Sequence, residues 1–222
     1  MILFPISAFE SISKGVITFL QSADGVRWDS YSFDSGCTNA TASQLFFVND
    51  QFVLLLLLST GYYAVYTSVG GRDWEKAGMF DKNAAGITDF EMLYYGAGKY
   101  ISISHEENTY SNTHMIMYST DLVTWKKGQG ASSNLTPVRS IAYGKGRFII
   151  CTNVGSHRYS VDGANWVFGD NVDNGQLTHC IFTDRFIAIG KERNIYVSAD
   201  AVSWEQISVC PFQRLSKIMY TG

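Results

Sequence analysis
All five tryptophans of the chain close a copy of one seven-residue turn, and that repeat constrains the fold more than any other feature. Ser160-Val161-Asp162-Gly163-Ala164-Asn165-Trp166 and Ser22-Ala23-Asp24-Gly25-Val26-Arg27-Trp28 are complete copies. Looser copies lie at 68–74, 119–125 and 198–204, each opening on Ser and closing on Trp. Asp followed by Gly between two apolar-alternating runs marks a hairpin, because Gly accepts positive φ and Asp bonds nearby backbone N–H groups. The Ser hydroxyl adds a weaker bond of the same kind. A Trp just past the turn buries a large ring while its N–H still reaches a partner. Gly70 stands where Asp is expected, and Leu122 and Ala201 stand where Gly is expected. Those three turns are therefore expected to use other local geometry, with Ser and Trp keeping the register.

A second feature precedes four of the turns. The segments 44–53 (QLFFVNDQFV), 92–101 (MLYYGAGKYI), 140–149 (SIAYGKGRFI) and 179–187 (HCIFTDRFI) each read as apolar strand, tight turn, apolar strand. The fourth is one residue shorter. A variable loop, a short strand, the Trp turn and a last strand follow each. The unit is four short antiparallel strands. Successive tryptophans are 46, 51, 41 and 38 residues apart. From Trp204 through Gly222 and on from Met1 to Trp28 is a further 46, and 217–222 (KIMYTG) reads as the first strand of a unit whose remainder lies at 2–9 and 16–21. The expectation is an all-β chain, 1–222, forming one five-bladed β-propeller of four-stranded antiparallel blades. The C-terminal strand would close the first blade and leave no long open edge.

Composition agrees with strands and excludes some functions. Aromatic residues make up 14% of the chain, beside 3 prolines and 17% charged residues. The net charge is −3 without a block of like charges, so there is no electrostatic footprint for nucleic acid or acidic membranes. The run 52–58 is too short to span a bilayer and reads as a buried strand. Residues 1–5 lack a basic leader, so synthesis in the cytoplasm without a signal peptide is expected. Cys37, Cys151, Cys180 and Cys210 lack metal-ligand spacing and are expected to be reduced.

The S-x-D-G-x-x-W turns and the AYGKGRFI-type hairpins resemble the Asp-box (bacterial neuraminidase repeat) family, in a form one residue shorter between Asp and Gly. The resemblance covers nearly the whole chain. It implies a propeller whose Trp turns are structural, and it looks like repeats in bacterial and bacteriophage proteins. Sialidases of that family carry an arginine triad. Here the eight arginines are scattered, with Arg27 and Arg72 in Trp turns and Arg147 and Arg185 in hairpin turns.

The long loops, 78–90, 104–114, 128–138 and 168–178, are expected on one face of the propeller, where binding usually lives. The candidate ligand or partner contacts are Tyr62, Tyr63, His105, Glu106, Tyr110, His114, Phe168 and Asp170. His105, Glu106 and His114 are metal-ligating types. Asp170, Asp173 and Asn174 are calcium-ligating types. Spacing alone brings neither set together, so solvated loops are the expectation and no metal or cofactor is called for. A carboxylate pair for glycoside hydrolysis would be Asp170 with Glu106 or Asp89, but nothing selects it. The aromatics suit sugar stacking or a protein partner. No nucleophile–base motif or phosphate loop is present, so no catalytic residue is expected. The leading expectation is a non-catalytic binding or structural module joined to a protein partner, with the phage-like repeat pointing to a virion tail or capsid accessory protein. The alternatives are a lectin-like propeller binding host-surface glycans and, less favoured, a sialidase-like glycoside hydrolase.

Overall fold
The computed structural model describes residues 9–13, 15–22, 24–105, 114–131, 135, 137–152, 157–170, 172, 177–190 and 194–209. The segment 217–222 and the strand expected over most of 2–9 lie outside them. The chain divides into two compact units, Met1–Gly86 with Asp121–Thr124, and Ile87–Thr120 with Trp125–Gly222.

Among the described residues the first unit holds two antiparallel sheets. One is ordered β1 (Phe9–Ser13), β2 (Val16–Gln21), β3 (Asp29–Asp34). The other is β4 (Ala40–Val48), β5 (Gln51–Leu58), β6 (Tyr62–Ser68), β7 (Glu75–Asp81). Asn49 and Asp50 turn β4 into β5 with φ of 54° and 56°, the paired positive values that a two-residue hairpin needs. The inner strand β5 is apolar from Phe52 to Leu58, and both of its faces are covered. Leu54 and Leu56 pack with Ile17, Phe19, Ala64 and Tyr66. Trp74 stacks on Phe19 at 5.1 Å.

Among the described residues the second unit holds three sheets. The first is β8 (Met92–Gly96), β9 (Lys99–His105), β10 (His114–Ser119), β11 (Lys126–Lys127). The second is β12 (Gln129–Gly130), β13 (Val138–Gly144), β14 (Arg147–Thr152), β15 (Arg158–Ser160), β16 (Asn165–Phe168), in the order β12-β16-β15-β14-β13. The third is β17 (Leu177–Phe182), β18 (Phe186–Gly190), β19 (Asn194–Ser198), β20 (Glu205–Val209). Ile101, Ile103 and Ile116 pack against Ile141, Phe148, Ile150 and Trp166. On the other side of that middle sheet, Ala142, Ile149 and Cys151 pack against Cys180, Phe186 and Ala188.

The Trp turns are closed by their own residues. In the copy ending at Trp166, the Asp162 and Gly163 N–H groups donate to Ser160 Oγ (3.3 and 2.9 Å). The Ala164 and Asn165 N–H groups donate to Asp162 Oδ1 (2.9 and 2.8 Å). Trp166 Nε1–H then donates to the Gly163 carbonyl at 3.0 Å. Gly163 sits at φ 70°, and a Cβ there would meet Ile101 Cδ1 at 2.5 Å. Burial raises the Asp162 carboxyl, but the bonds from Asn165, Ala164 and Ser160 outweigh it and hold it down at about 2.

Several expectations are corrected. Leu122 and Ala201 do not take another geometry; they adopt φ of 66° and 59° at the Gly position. Asp121 and Asp200 each accept the N–H groups two and three residues on, as Asp162 does, and these bonds hold a strained residue in the left-handed region. In the copy with Gly70 in place of Asp, Gly71 keeps φ 76° and donates to Ser68 Oγ at 2.8 Å. Half of the 78–90 loop is not loop. β7 runs to Asp81, and a single helical turn α1 (Lys82–Ala85), capped by Asp81, follows. The 128–138 loop contributes β12, a fifth strand parallel to β16. Gly130 permits it, since a Cβ there would stand 2.3 Å from the Trp166 carbonyl oxygen, and Ala131 N–H donates to that oxygen at 2.9 Å. The β17–β18 turn is one residue longer than the other three hairpin turns. Phe182 faces Phe186 across three residues, whereas Gly96 faces Lys99 across two.

Candidate functional site
The β9–β10 register places His105 directly opposite His114. Antiparallel order puts the start of β8 at this same end, away from the β8–β9 hairpin turn. Glu91, one residue before β8, donates its N–H to the Ile103 carbonyl at 2.9 Å. Ile87 and Phe90 are buried and anchor the approach to β8; Phe90 packs edge-on against Trp125 at 5.1 Å. Thr88 Oγ1 donates to the His105 carbonyl at 2.9 Å. Two apolar anchors and two backbone ties thus fix Asp89 and Glu91 beside the histidines.

Proton positions follow from the contacts. His105 Nδ1 lies 2.9 and 3.0 Å from the two oxygens of Asp89, so Nδ1–H donates and Nε2 keeps its lone pair. The Val138 backbone N–H donates to His114 Nδ1 at 3.0 Å, so the neutral ring carries its proton on Nε2. That Nε2 faces His105 Nε2 at 3.2 Å and Glu91 Oε2 at 3.2 Å. His114 is 2% exposed. Burial pushes its imidazole below the ordinary histidine value, against the pull of Glu91. The ligand atoms of Glu91, His105 and His114 all lie within 4.8 Å of one another.

Of the residues expected from sequence, His105 and His114 come together. Glu106 and Tyr110, with Asp173 and Asn174, lie outside the described residues. Glu91 was missed as a partner of the histidines. The signal was available in principle, because hairpin pairing of 92–101 sets residue 91 at the same strand end as residue 105.

Phe168 and Asp170 sit at and just beyond the end of β16. Phe168 is 60% exposed and lies under the buried Arg158 guanidinium, 4.8 Å from its ring centre. Asp170 is exposed. Beneath them His157 is 1% exposed, with neither ring nitrogen hydrogen-bonded. Burial lowers its pKa to about 4, against the raising influence of Asp170. In the first unit Tyr62 is half-exposed, but Tyr63 is corrected. Its ring is 3% exposed and stacks on Phe80 at 5.4 Å, because alternation along β6 turns it inward. Clefts also occur at Trp-turn ends, which sequence reasoning did not single out. One of about 540 Å³ is lined by Lys145, Asp184, Arg185, Trp204 and Glu205.

No family model matches the chain, and no curated protein matches it. Among solved structures it is similar to YCF48 bound to D1 peptide, with a TM-score of 0.55 and 15% identity over 96% of this chain and 71% of that one. It is similar to YCF48 from Cyanidioschyzon merolae, with a TM-score of 0.52 and 14% identity over 86% of this chain and 66% of that one. It is also similar to the Neurospora crassa Pan2 WD40 domain, with a TM-score of 0.51 and 8% identity over 92% of this chain and 65% of that one. The chain thus spans about two thirds of the length of these solved chains. At such identities the likeness concerns the fold, which is of the β-propeller type.

Proposed function
We propose that the chain is a five-bladed propeller of the shortened Asp-box kind, acting as a non-catalytic binding module in a protein assembly. The assembly we favour is a virion, in which the chain is a tail or capsid accessory protein attached through its loops. The observation that supports this most is how the two strand ends differ in their polar groups. At the Trp-turn end, Ser160, Asp162, Ser198 and Asp200 spend theirs on their own turn backbone. The opposite end carries Phe168, Asp170 and the histidine cluster on connections of unequal length. A propeller of similar fold is named as bound to a peptide, which supports the kind of role and not the partner. Electron microscopy of the chain in its native assembly tests the reading. The end carrying His105 and Phe168 is expected to pack against another protein; that end standing free in solvent would sink the proposal.

A second reading, glycan binding, draws on the exposed Phe168 ring beside the exposed Asp170 carboxylate, an aromatic face with a hydrogen-bond acceptor. A glycan array with hits lost in Phe168→Ala would favour it over the first. Turnover of sialyl or aryl glycosides would overturn both.

A further inference from the structure
We infer that Glu91, His105 and His114 form a binding site for a divalent transition-metal ion of the zinc class. The site departs from the metal-free expectation drawn from spacing, and it is independent of the binding-module reading.

Zinc takes imidazole nitrogen and carboxylate oxygen at about 2.0–2.2 Å in tetrahedral geometry, which sets two ligand atoms about 3.3 Å apart. His114 Nε2 stands 3.2 Å from both His105 Nε2 and Glu91 Oε2. Glu91 is 40% exposed and has room to close on the ion, while His114 is held by burial and by pairing with Leu135. His105 is already prepared as a ligand. Asp89 holds its Nδ1–H, which fixes the tautomer and aims the Nε2 lone pair, the second partner that metal-bound histidines ordinarily have. Two imidazoles and one carboxylate favour zinc or a neighbouring first-row ion over calcium or magnesium. Among the described residues the site has three protein ligands, which leaves a fourth position for a further donor.

His114 gives the site a consequence that an ordinary surface metal site lacks. Without metal, its proton sits on Nε2 because Val138 N–H occupies Nδ1. Ligation through Nε2 requires that proton to leave and another to be taken up at Nδ1. The ring stays neutral and no net proton is released, but Val138 N–H loses its acceptor. Metal binding is therefore coupled to freeing the Val138 amide at the start of β13.

Zinc titration of the full chain by calorimetry, with metal content measured after gel filtration, tests the proposal. We expect one zinc per chain with micromolar or tighter affinity. Glu91→Gln, at an exposed side chain, weakens binding at least ~10-fold. His105→Ala abolishes it. Asp89→Asn, at a positioning residue, weakens it by ~10–100-fold. Amide exchange at Val138 speeds up on saturation with zinc. Circular dichroism checks that each variant is folded, and Glu91→Gln decides the matter if His105→Ala is not. No stoichiometric zinc on the wild-type chain, or binding unchanged in Glu91→Gln, overturns the site. Unchanged exchange at Val138 on saturation overturns ligation through His114.

Discussion

The turn ending at Trp166 and the cluster around His114 both lie in the second unit, and both are built from polar side chains on a β scaffold. They are built differently. Every bond that the Ser160 and Asp162 side chains make in the turn joins residues two or three apart, such as Ser160 to Gly163 and Asp162 to Asn165. Every contact of the cluster joins residues more distant in sequence. Asp89 meets His105, His114 meets His105, and Val138 meets His114 across 24 residues. The turn consumes its polar groups. The cluster leaves Glu91 half-exposed and the His105 lone pair facing a neighbour. Local bonds make a structural element that survives substitution, as Leu122 and Ala201 show. Non-local bonds make a site whose groups remain available for other chemistry.

The largest expected effect breaks the turn. Gly163→Ala places a methyl group against Ile101 and Phe148 at a positive φ. It should cost about 3 kcal/mol or more by denaturant unfolding, from overpacking added to backbone strain. A loss under about 1 kcal/mol would mean that the turn tolerates the methyl as Ala201 does. Next is the buried His157. Its folded pKa of about 4 lies below the ordinary 6.5, so the unfolded chain takes up the proton first. Stability is full above pH 6.5 and falls as pH drops toward 4, by up to about 3 kcal/mol. His157→Phe should flatten that part of the stability–pH profile, whatever it does to stability at neutral pH.

Asp162→Ala removes the acceptor for two turn amides and should cost about 1–2 kcal/mol. The depressed carboxyl contributes stability above pH ~4 that is lost as pH falls through about 2, so the variant should show a shallower acid limb there. Asp162 is only partly buried, and solvent screening keeps the pH-dependent part small. The smallest effect belongs to the cluster. Glu91→Gln should shift unfolding by under about 0.5 kcal/mol in metal-free buffer, because the side chain is half-exposed. A cost near that of Gly163→Ala would make Glu91 a structural residue and erase the contrast.

What the sequence by itself determined is the local part. Most strands, three of the four hairpin turns and the Ser and Asp roles follow from interactions within a few residues, where side-chain chemistry and φ preferences suffice; the expected Trp role holds at Trp74 and Trp166 but not at Trp204, whose buried indole N–H lacks a partner, or at the exposed Trp28. The inward-facing β5 was legible for a related reason, since an unbroken apolar run must be covered on both faces. Tertiary structure decided the rest. Whether Leu122 takes a positive φ depends on what holds the turn, not on leucine's own preference. Whether 128–138 stays a loop depends on the Trp166 carbonyl waiting beside Gly130. Whether Tyr63 points out or in depends on the phase of β6. The histidine site needed the β9–β10 register and the packing of Phe90, which join residues that spacing along the chain leaves apart. A β-sheet reads its neighbours across strands, and one residue of register exchanges the faces, so convergence of distant side chains is a property of the pairing.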